Sequence, residues 1–521
     1  MPSAKTTTLR AGVALLAIAT GVGLAAVPAA AGPTATPDGP ALARQLVHKV
    51  NVTDINRDLI ALQRIADRNN HNRAAGTKGH TDSADYFAGK LEAAGYTVDR
   101  QPFPFMYDET RTQSLTVNGV PIGTGVLPLF QRMRYSASTP AGGVTTTLSV
   151  LPSGDPTPGC EPSDYANAVG KVALVVRGSC SFAIKATAAA QGGALAVVVY
   201  NNVPNLPLVG TFNQPAAGSA PAAGVTQAIG QQLATQDGAA VTMNLQGLTE
   251  QRTSYNLIAE TKTGRHDNVV MAGAHLDSVT DGPGINTNGT GSAALLDIAL
   301  QLGSTPKVNN AVRFVWWSAE ELGQIGSKYY VQNLDFEHQL DIALYLNFDL
   351  IGSANAGYFV FDGDNSDGVG APAGPYGSAQ IEKAFTDYFN FTGVPIESTD
   401  LALNFDHGPF LLAGIPAGGL FTGADGVKTQ AQADKWGGTA GMSFDPCFHM
   451  ICDNLGNVDR TALDRNSHAI AFVLGSYAIS TEGINGVPAR ATRAHARAAA
   501  ARAAAASAAK VAATTHGLAA A

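Results

Sequence analysis

Three short apolar runs, separated by stretches of helical character, organise the second half of the chain. Val269–Ala274, Val312–Trp317 and Ala343–Phe348 are each of strand length, and Ser292–Leu302 and Ser327–Asn333 lie between them. A strand that is apolar on both faces must be covered on both faces. The alternation therefore predicts an α/β fold, a mostly parallel, mixed sheet sandwiched by helices. Nearer the N-terminus, Leu42, Leu46, Val50, Ile55, Leu59 and Leu62 recur at helical spacing. Ser83–Ala94 sets Tyr86, Phe87 and Leu91 on one face, Gly95 stops it, and Tyr96-Thr97-Val98 opens a strand.

Between these parts the pattern changes. Residues 131–247 are rich in Gly, Ala, Val, Pro and Thr, with short β-type runs at Val144–Leu151, Val172–Val176 and Ala194–Tyr200 and a helical stretch at Phe182–Gln191. This reads as a small β-rich insert, suited to a binding or lid role. The main unit is then 41–130 with 248–485. The Ala/Arg-rich tail, 486–521, carries Arg490, Arg493, Arg497 and Arg502 without an apolar face and is expected to be disordered.

The first 31 residues follow another logic. Lys5 and Arg10 precede an apolar run, Ala11–Val27, and Pro28-Ala29-Ala30-Ala31 closes it with small residues. That layout predicts a signal peptide cleaved after Ala31, and hence a secreted, extracellular protein with no membrane attachment after cleavage. At 521 residues, 45% hydrophobic and 14% charged, the remainder is long enough for two or three cores. A net charge of −8 offers no basic field, so nucleic acid is excluded as an expected partner. In an oxidising compartment the four cysteines pair by proximity, Cys160 with Cys180 and Cys447 with Cys452, in preference to a thiolate metal site.

Acids and histidines gather where the apolar runs end, the side of an open α/β sheet on which ligands bind. The first run leads into His275 and Asp277, two residues apart and so on one side of a strand. Read alone, that pair is better taken as a structural hydrogen bond, though a carboxylate there could also fix the imidazole tautomer for metal binding. The second run leads into Glu320 and Glu321, whose divergent side chains allow one to bind metal and the other to act as general base. The third ends at Asp349, and His449 sits inside the short Cys447–Cys452 loop. His, Glu, Asp and His with a spare Glu is a ligand set that zinc takes for hydrolysis. No Gly-x-Ser-x-Gly occurs, and the dinucleotide-like Gly289-Thr290-Gly291-Ser292-Ala293-Ala294 lacks its downstream acid.

These stretches carry a resemblance. AGAHLDSV, WWSAEELGQIGSKYYV, LNFDLIGS, DHGPFLLAGIPAGGLFTGADGVKT and DPCFHMICDNLGNVD resemble the secreted di-zinc aminopeptidases, the aminopeptidase S and aminopeptidase Y group, and RAAGTKGHTDSADYFAGKLEAAGY resembles the start of their catalytic domain. GKVALVVRGSCSFAIKATAAAQGGALAVVVYNN resembles a protease-associated (PA) domain inserted in such enzymes. The resemblance implies a zinc exopeptidase fold, with His275 and Asp349 on one zinc, Glu321 and His449 on the other, and Glu320 as general base. It also implies Asp277 as the partner of His275 and both cysteine pairs as disulfides. The implied activity is release of the N-terminal amino acid from peptides or protein N-termini.

Three positions depart from the family pattern. Thr287 stands where a bridging aspartate is expected, leaving each metal two protein ligands and removing the anion between the cations. Phe448 replaces a tyrosine that donates to the developing oxyanion, and Phe405 precedes Asp406 where the family usually has Ser. Asp281, Asn286 and Asn288 are the neighbours able to make up the coordination. The leading expectation is a zinc metallo-aminopeptidase, impaired at Thr287 and holding two zincs if the family pattern holds, otherwise one or none. The alternative is an inactive homologue that binds peptides or proteins.

Overall fold

The three apolar runs become the middle of a sheet. The computed structural model describes residues 39–123, 129–152, 154–204, 208, 210–370, 372–485, 491–499 and 502. The expected signal segment lies outside the described residues. Strand Arg265–His275 runs between two parallel neighbours, Asn310–Trp317 and Ile342–Phe348. Period-2 alternation sends Val270, Ala272, Val312, Phe314, Trp316, Leu344 and Leu346 into a core on one face. Val269, Met271, Val315, Trp317, Ile342 and Tyr345 enter a second core on the other. All are at most 1% exposed, and burying a side chain of this size contributes roughly 1.5–3 kcal/mol.

Helices cover both faces. Gly39–Lys49, Val52–Arg68, Lys78–Ala93, Gly291–Leu302 and Arg460–Ile479 close the first core, and Ile325–Gln332 and Gly408–Leu412 the second. The N-terminal apolar pattern divides into two helices because Asn51, extended at φ −148°, caps the second by accepting the Asp54 N–H. Ala417–Phe421 adds a further parallel strand beside Ile342–Phe348, and Phe359–Phe361 pairs antiparallel with it.

A ribbon of two long strands joins the insert to this sheet. Val98–Val117 and Ala240–Glu260 pair antiparallel from Val98 opposite Ala259 to Val117 opposite Val241, with one register slip between Thr110 and Thr112. At one end Ala259 pairs with Phe314 of the central sheet; at the other Met243 pairs with Val144 of the insert. The insert's own strands, Val144–Val150, Val172–Val176, Ala196–Tyr200 and Ala222–Val225, run parallel, and Phe130–Arg132 closes the edge antiparallel. A buried bidentate pair, Arg132 to Asp108 at 2.9 and 3.0 Å, fastens that edge to the ribbon, with the Thr249 hydroxyl donating to the same carboxylate. Cys160–Cys180 and Cys447–Cys452 are both disulfides, as expected.

The tail corrects an expectation. Residues 491–499 are helical and docked, and Arg493 and Arg497 are buried. Arg497 donates to the carbonyls of Gln339 and Ile342, where helix Phe336–Asp341 ends, and Arg493 to Asn268 Oδ1 and the Asp267 carbonyl. An apolar stripe was the wrong feature to look for: long arginine stems supply the packing and their heads cap open carbonyls.

Candidate metal centre

His275 is the last residue of the central strand, and Asp349 follows directly on Ile342–Phe348. Glu320 and Glu321 leave the Trp317 strand through Ala319, which is left-handed at φ +58°. Leu350, beside Asp349, and His449 are left-handed too, at φ +49° and +58°. For a residue with a Cβ that conformation costs roughly 1–2 kcal/mol, and strain of this kind gathers at functional sites.

The turns bring the expected residues together. His275 Nε2 lies 3.4 Å from Asp349 Oδ1 and 3.9 Å from Glu320 Oε2, while His449 Nε2 is 2.9 Å from Glu321 Oε2. Asp277 acts differently from its expected part. The Nδ1 of His275 is 3.0 Å from the main-chain oxygen of Asp277 and 3.7 Å from its carboxylate. That carboxylate instead accepts the N–H groups of Glu320 and Glu321, at 3.2 and 3.4 Å. One residue thereby leaves His275 Nε2 as the free acceptor through its carbonyl and sets the two glutamates through its side chain.

The loop bearing Thr287 is held from below by residues that sequence reasoning missed. Buried Arg73 donates to the carbonyls of Leu276, Pro283 and Gly284. Asp453 accepts the N–H groups of Asn286 and Thr287 at 2.8 and 3.0 Å, and Asp445 accepts from the Asn286 side chain at 2.7 Å. Their place beside the two cysteines was the signal for Asp445 and Asp453; Arg73 left none. Asn286 and Asn288 are committed to structure, Asn288 donating to the Phe348 carbonyl and accepting from Gly291, and Asp281 is exposed at the rim. The Phe448 ring stacks on His449 at 3.8 Å. Phe405 packs with Phe361, His407 and Phe421, and Asp406 accepts the Ser327 hydroxyl at 2.6 Å.

Four buried polar atoms here have no hydrogen-bond partner among the described residues: His275 Nε2, Asp349 Oδ1, Glu321 Oε1 and Thr287 Oγ1. Buried acceptors left unpaired are costly, and a cation would satisfy the three that are strong donors to metal. Two ligands of one tetrahedral zinc, each roughly 2.0–2.1 Å away, stand about 3.3 Å apart, and His275 and Asp349 are separated by 3.4 Å. Asp362, Asp364 and Glu382 also bring carboxylates together, but they accept the main-chain N–H groups of Gly363, Ser366 and Asp367.

Charge is concentrated here. Burial alone would depress His275, but Asp349, Asp277 and Glu320 outweigh it and hold the imidazole well above its ordinary value. Burial drives Glu320 well above the carboxylate range, opposed by His275 and reinforced by Asp406, Glu321 and Asp349. Burial would also raise Glu321, yet His449 beside it brings its pKa below the ordinary value. The same pairing raises His449 against the effect of its own burial. Burial pushes Asp406 up to about 7, and burial with Asp445 alongside pushes Asp453 up to about 6.

Comparison with known proteins matches residues 256–474 to peptidase family M28 and residues 144–233 to the PA domain. A probable lipoprotein aminopeptidase of Mycobacterium tuberculosis is 44% identical over 88% of this chain and 91% of its own. An aminopeptidase of Pseudomonas aeruginosa is 40% identical (85% and 84% covered), and leucine aminopeptidase 2 of Trichophyton rubrum 39% (86% and 88%). Among solved structures, an aminopeptidase from Aneurinibacillus sp. strain AM-1 shares the fold with a TM-score of 0.64 at 24% identity, covering 83% of this chain and 94% of its own. A zinc aminopeptidase from Bacillus subtilis superposes with a TM-score of 0.61, again at 24% identity, covering 83% of this chain and 96% of its own.

Proposed function

The chain belongs to peptidase family M28, with an inserted PA domain, and from that premise we propose that it removes N-terminal residues from peptides and protein ends by zinc-dependent hydrolysis. The observation that carries this reading is the set of orphaned buried acceptors on His275, Asp349 and Glu321. In it, His275 and Asp349 would hold one zinc, and Glu321 and His449 would provide for a second. Zinc, when bound, supplies Lewis-acid polarisation of the scissile carbonyl and lowers the pKa of a water.

The protein's own groups do the rest. Glu320, whose pKa is raised, takes the proton of the attacking water and returns it to the leaving amine. Asp277 holds Glu320 and Glu321 by their main chain and His275 by its ring. Thr287 cannot bridge two cations, so the reading favours a centre with one firmly held zinc and a weak second position. No observation beyond the departures at Thr287, Phe448 and Phe405 favours the inactive alternative.

The division at residues 131 and 247 and export of the chain belong to the same proposal. The two disulfides support export, and no helix among the described residues is long and apolar enough to cross a membrane. The decisive test is elemental analysis of the purified protein with a parallel assay on an aminoacyl nitroanilide. At least one zinc per chain with turnover is expected. A metal-free, silent protein that zinc does not activate would overturn the proposal.

A further inference from the structure

One side chain of the insert, Arg134, reaches the metal centre. Arg134 lies just beyond strand Phe130–Arg132, its main chain pinned on both sides. Its N–H donates to Gly210 at 2.9 Å, and its carbonyl accepts from Phe212 at 3.1 Å. Tyr135, next in the chain, is buried and left-handed at φ +64°, and its hydroxyl donates to the Met106 carbonyl. From this fixed kink the Arg134 guanidinium leaves the insert, and Nη1 donates to the main-chain oxygen of Glu321.

There its charge acts on Glu321, His449 and Asp281 alike. The side chain is half-buried, and none of the ion pairs among the described residues includes it. With Nη1 committed to Glu321, its other N–H groups remain. A permanent cation beside a site built to hold cations opposes metal binding, so its presence needs a compensating use. The reaction offers one. Water adds to the carbonyl carbon of the first peptide bond, the C=O π electrons move onto oxygen, and Glu320 takes the proton. Collapse re-forms the carbonyl, breaks the C–N bond and passes the proton to the leaving nitrogen. The oxygen carries negative charge in between, and Phe448, stacked on His449, has no polar atom to offer it.

We propose that Arg134, supplied by the inserted domain, is a catalytic residue that donates to this oxygen as its charge develops. The inference rests on the aminopeptidase reading. Its test is steady-state kinetics with zinc analysis on wild type, Arg134→Met, Phe448→Tyr and the double variant. Removing one such donor typically costs about 100-fold or more in kcat. Arg134→Met should show that loss with zinc content unchanged or raised and little change in KM. In the Arg134→Met background Phe448→Tyr should recover about tenfold of it, since the new hydroxyl reaches the same oxygen, whereas Phe448→Tyr alone should gain far less. Unchanged kcat, a loss confined to KM, a loss of zinc in Arg134→Met, or no rescue by the tyrosine would each overturn it. A zinc-loaded wild type without turnover would instead sink the aminopeptidase reading, and this one with it.

Discussion

Two histidines serve the candidate centre, and the chain holds them by different means. His275 ends the central strand, is 1% exposed, and has one ring nitrogen tied to the Asp277 carbonyl while the other stays 3.4 Å from Asp349. His449 sits in a six-residue disulfide loop with its side chain 38% exposed, and is already in contact with Glu321 at 2.9 Å. A cation entering the first pair displaces only the looser 3.4 Å ion pair of His275 with Asp349. Entering the second, it must break a charge-assisted hydrogen bond worth about 1.5–3 kcal/mol, or roughly 10- to 100-fold in affinity. Regular secondary structure can hold two ligands apart at metal distance, whereas a loop lets them satisfy each other. With Thr287 unable to anchor the second position from between, the difference goes uncorrected.

The most severe test of this asymmetry is His275→Ala against His449→Ala. The first should abolish zinc binding and activity together, a fall on the order of 10⁴-fold, comparable to removing a principal catalytic residue. The second should keep one zinc and lose about 10- to 100-fold in kcat. Equal losses of zinc in the two variants would break the comparison. Glu320→Gln separates chemistry from binding: kcat should drop by about 10²–10⁴-fold with zinc content unchanged. Thr287→Asp should raise zinc toward two per chain and activity by roughly tenfold, the equivalent of about 1.4 kcal/mol, as the second position gains its missing ligand. If titration calorimetry finds the second zinc no tighter, the weakness lies in the His449 loop itself.

The smallest effect concerns another buried histidine. Burial pushes His407 down to about 4, with its Nε2 on the Ala402 carbonyl at 2.6 Å. The unfolded chain takes up that proton first, so the stability contributed by neutral His407 is complete above about pH 6.5 and is lost as pH falls through 4. In the metal-free protein, melting curves between pH 7 and 4 should be less pH-dependent for His407→Gln than for wild type. Parallel curves would show that the imidazole does not contribute.

The central sheet was legible because Val269–Ala274, Val312–Trp317 and Ala343–Phe348 are apolar on both faces, a pattern only a covered strand satisfies. The residues ending those strands could be named for the same reason. Other parts of the centre left no local mark. Arg73 binds three carbonyls more than 200 residues away, and Arg134 meets Glu321 across 187 residues. Neither contact is written in any spacing along the chain. Asp277 was recognised as a partner of His275, but whether its carbonyl or its carboxylate would do the work depends on how the chain turns after the strand. The docked tail was missed because carbonyls at the end of helix Phe336–Asp341, rather than an apolar groove, receive it.

The ribbon of Val98–Val117 on Ala240–Glu260 determines how chimeras of this protein must be spliced. Cuts at 131 and 247 leave Val98–Val117 whole with the recipient but take Ala240–Gly247 away, so a foreign insert would have to supply a strand that pairs with Thr110–Val117. Joining instead at the register slip near Thr110, opposite Gly247, lets the donor bring its own half of the stem. A stem paired from Val98 to Val117 with a single slip is also a stiff lever. Dyes placed on the insert and on the helical layer should keep a constant separation through the catalytic cycle, because the two turn as one piece.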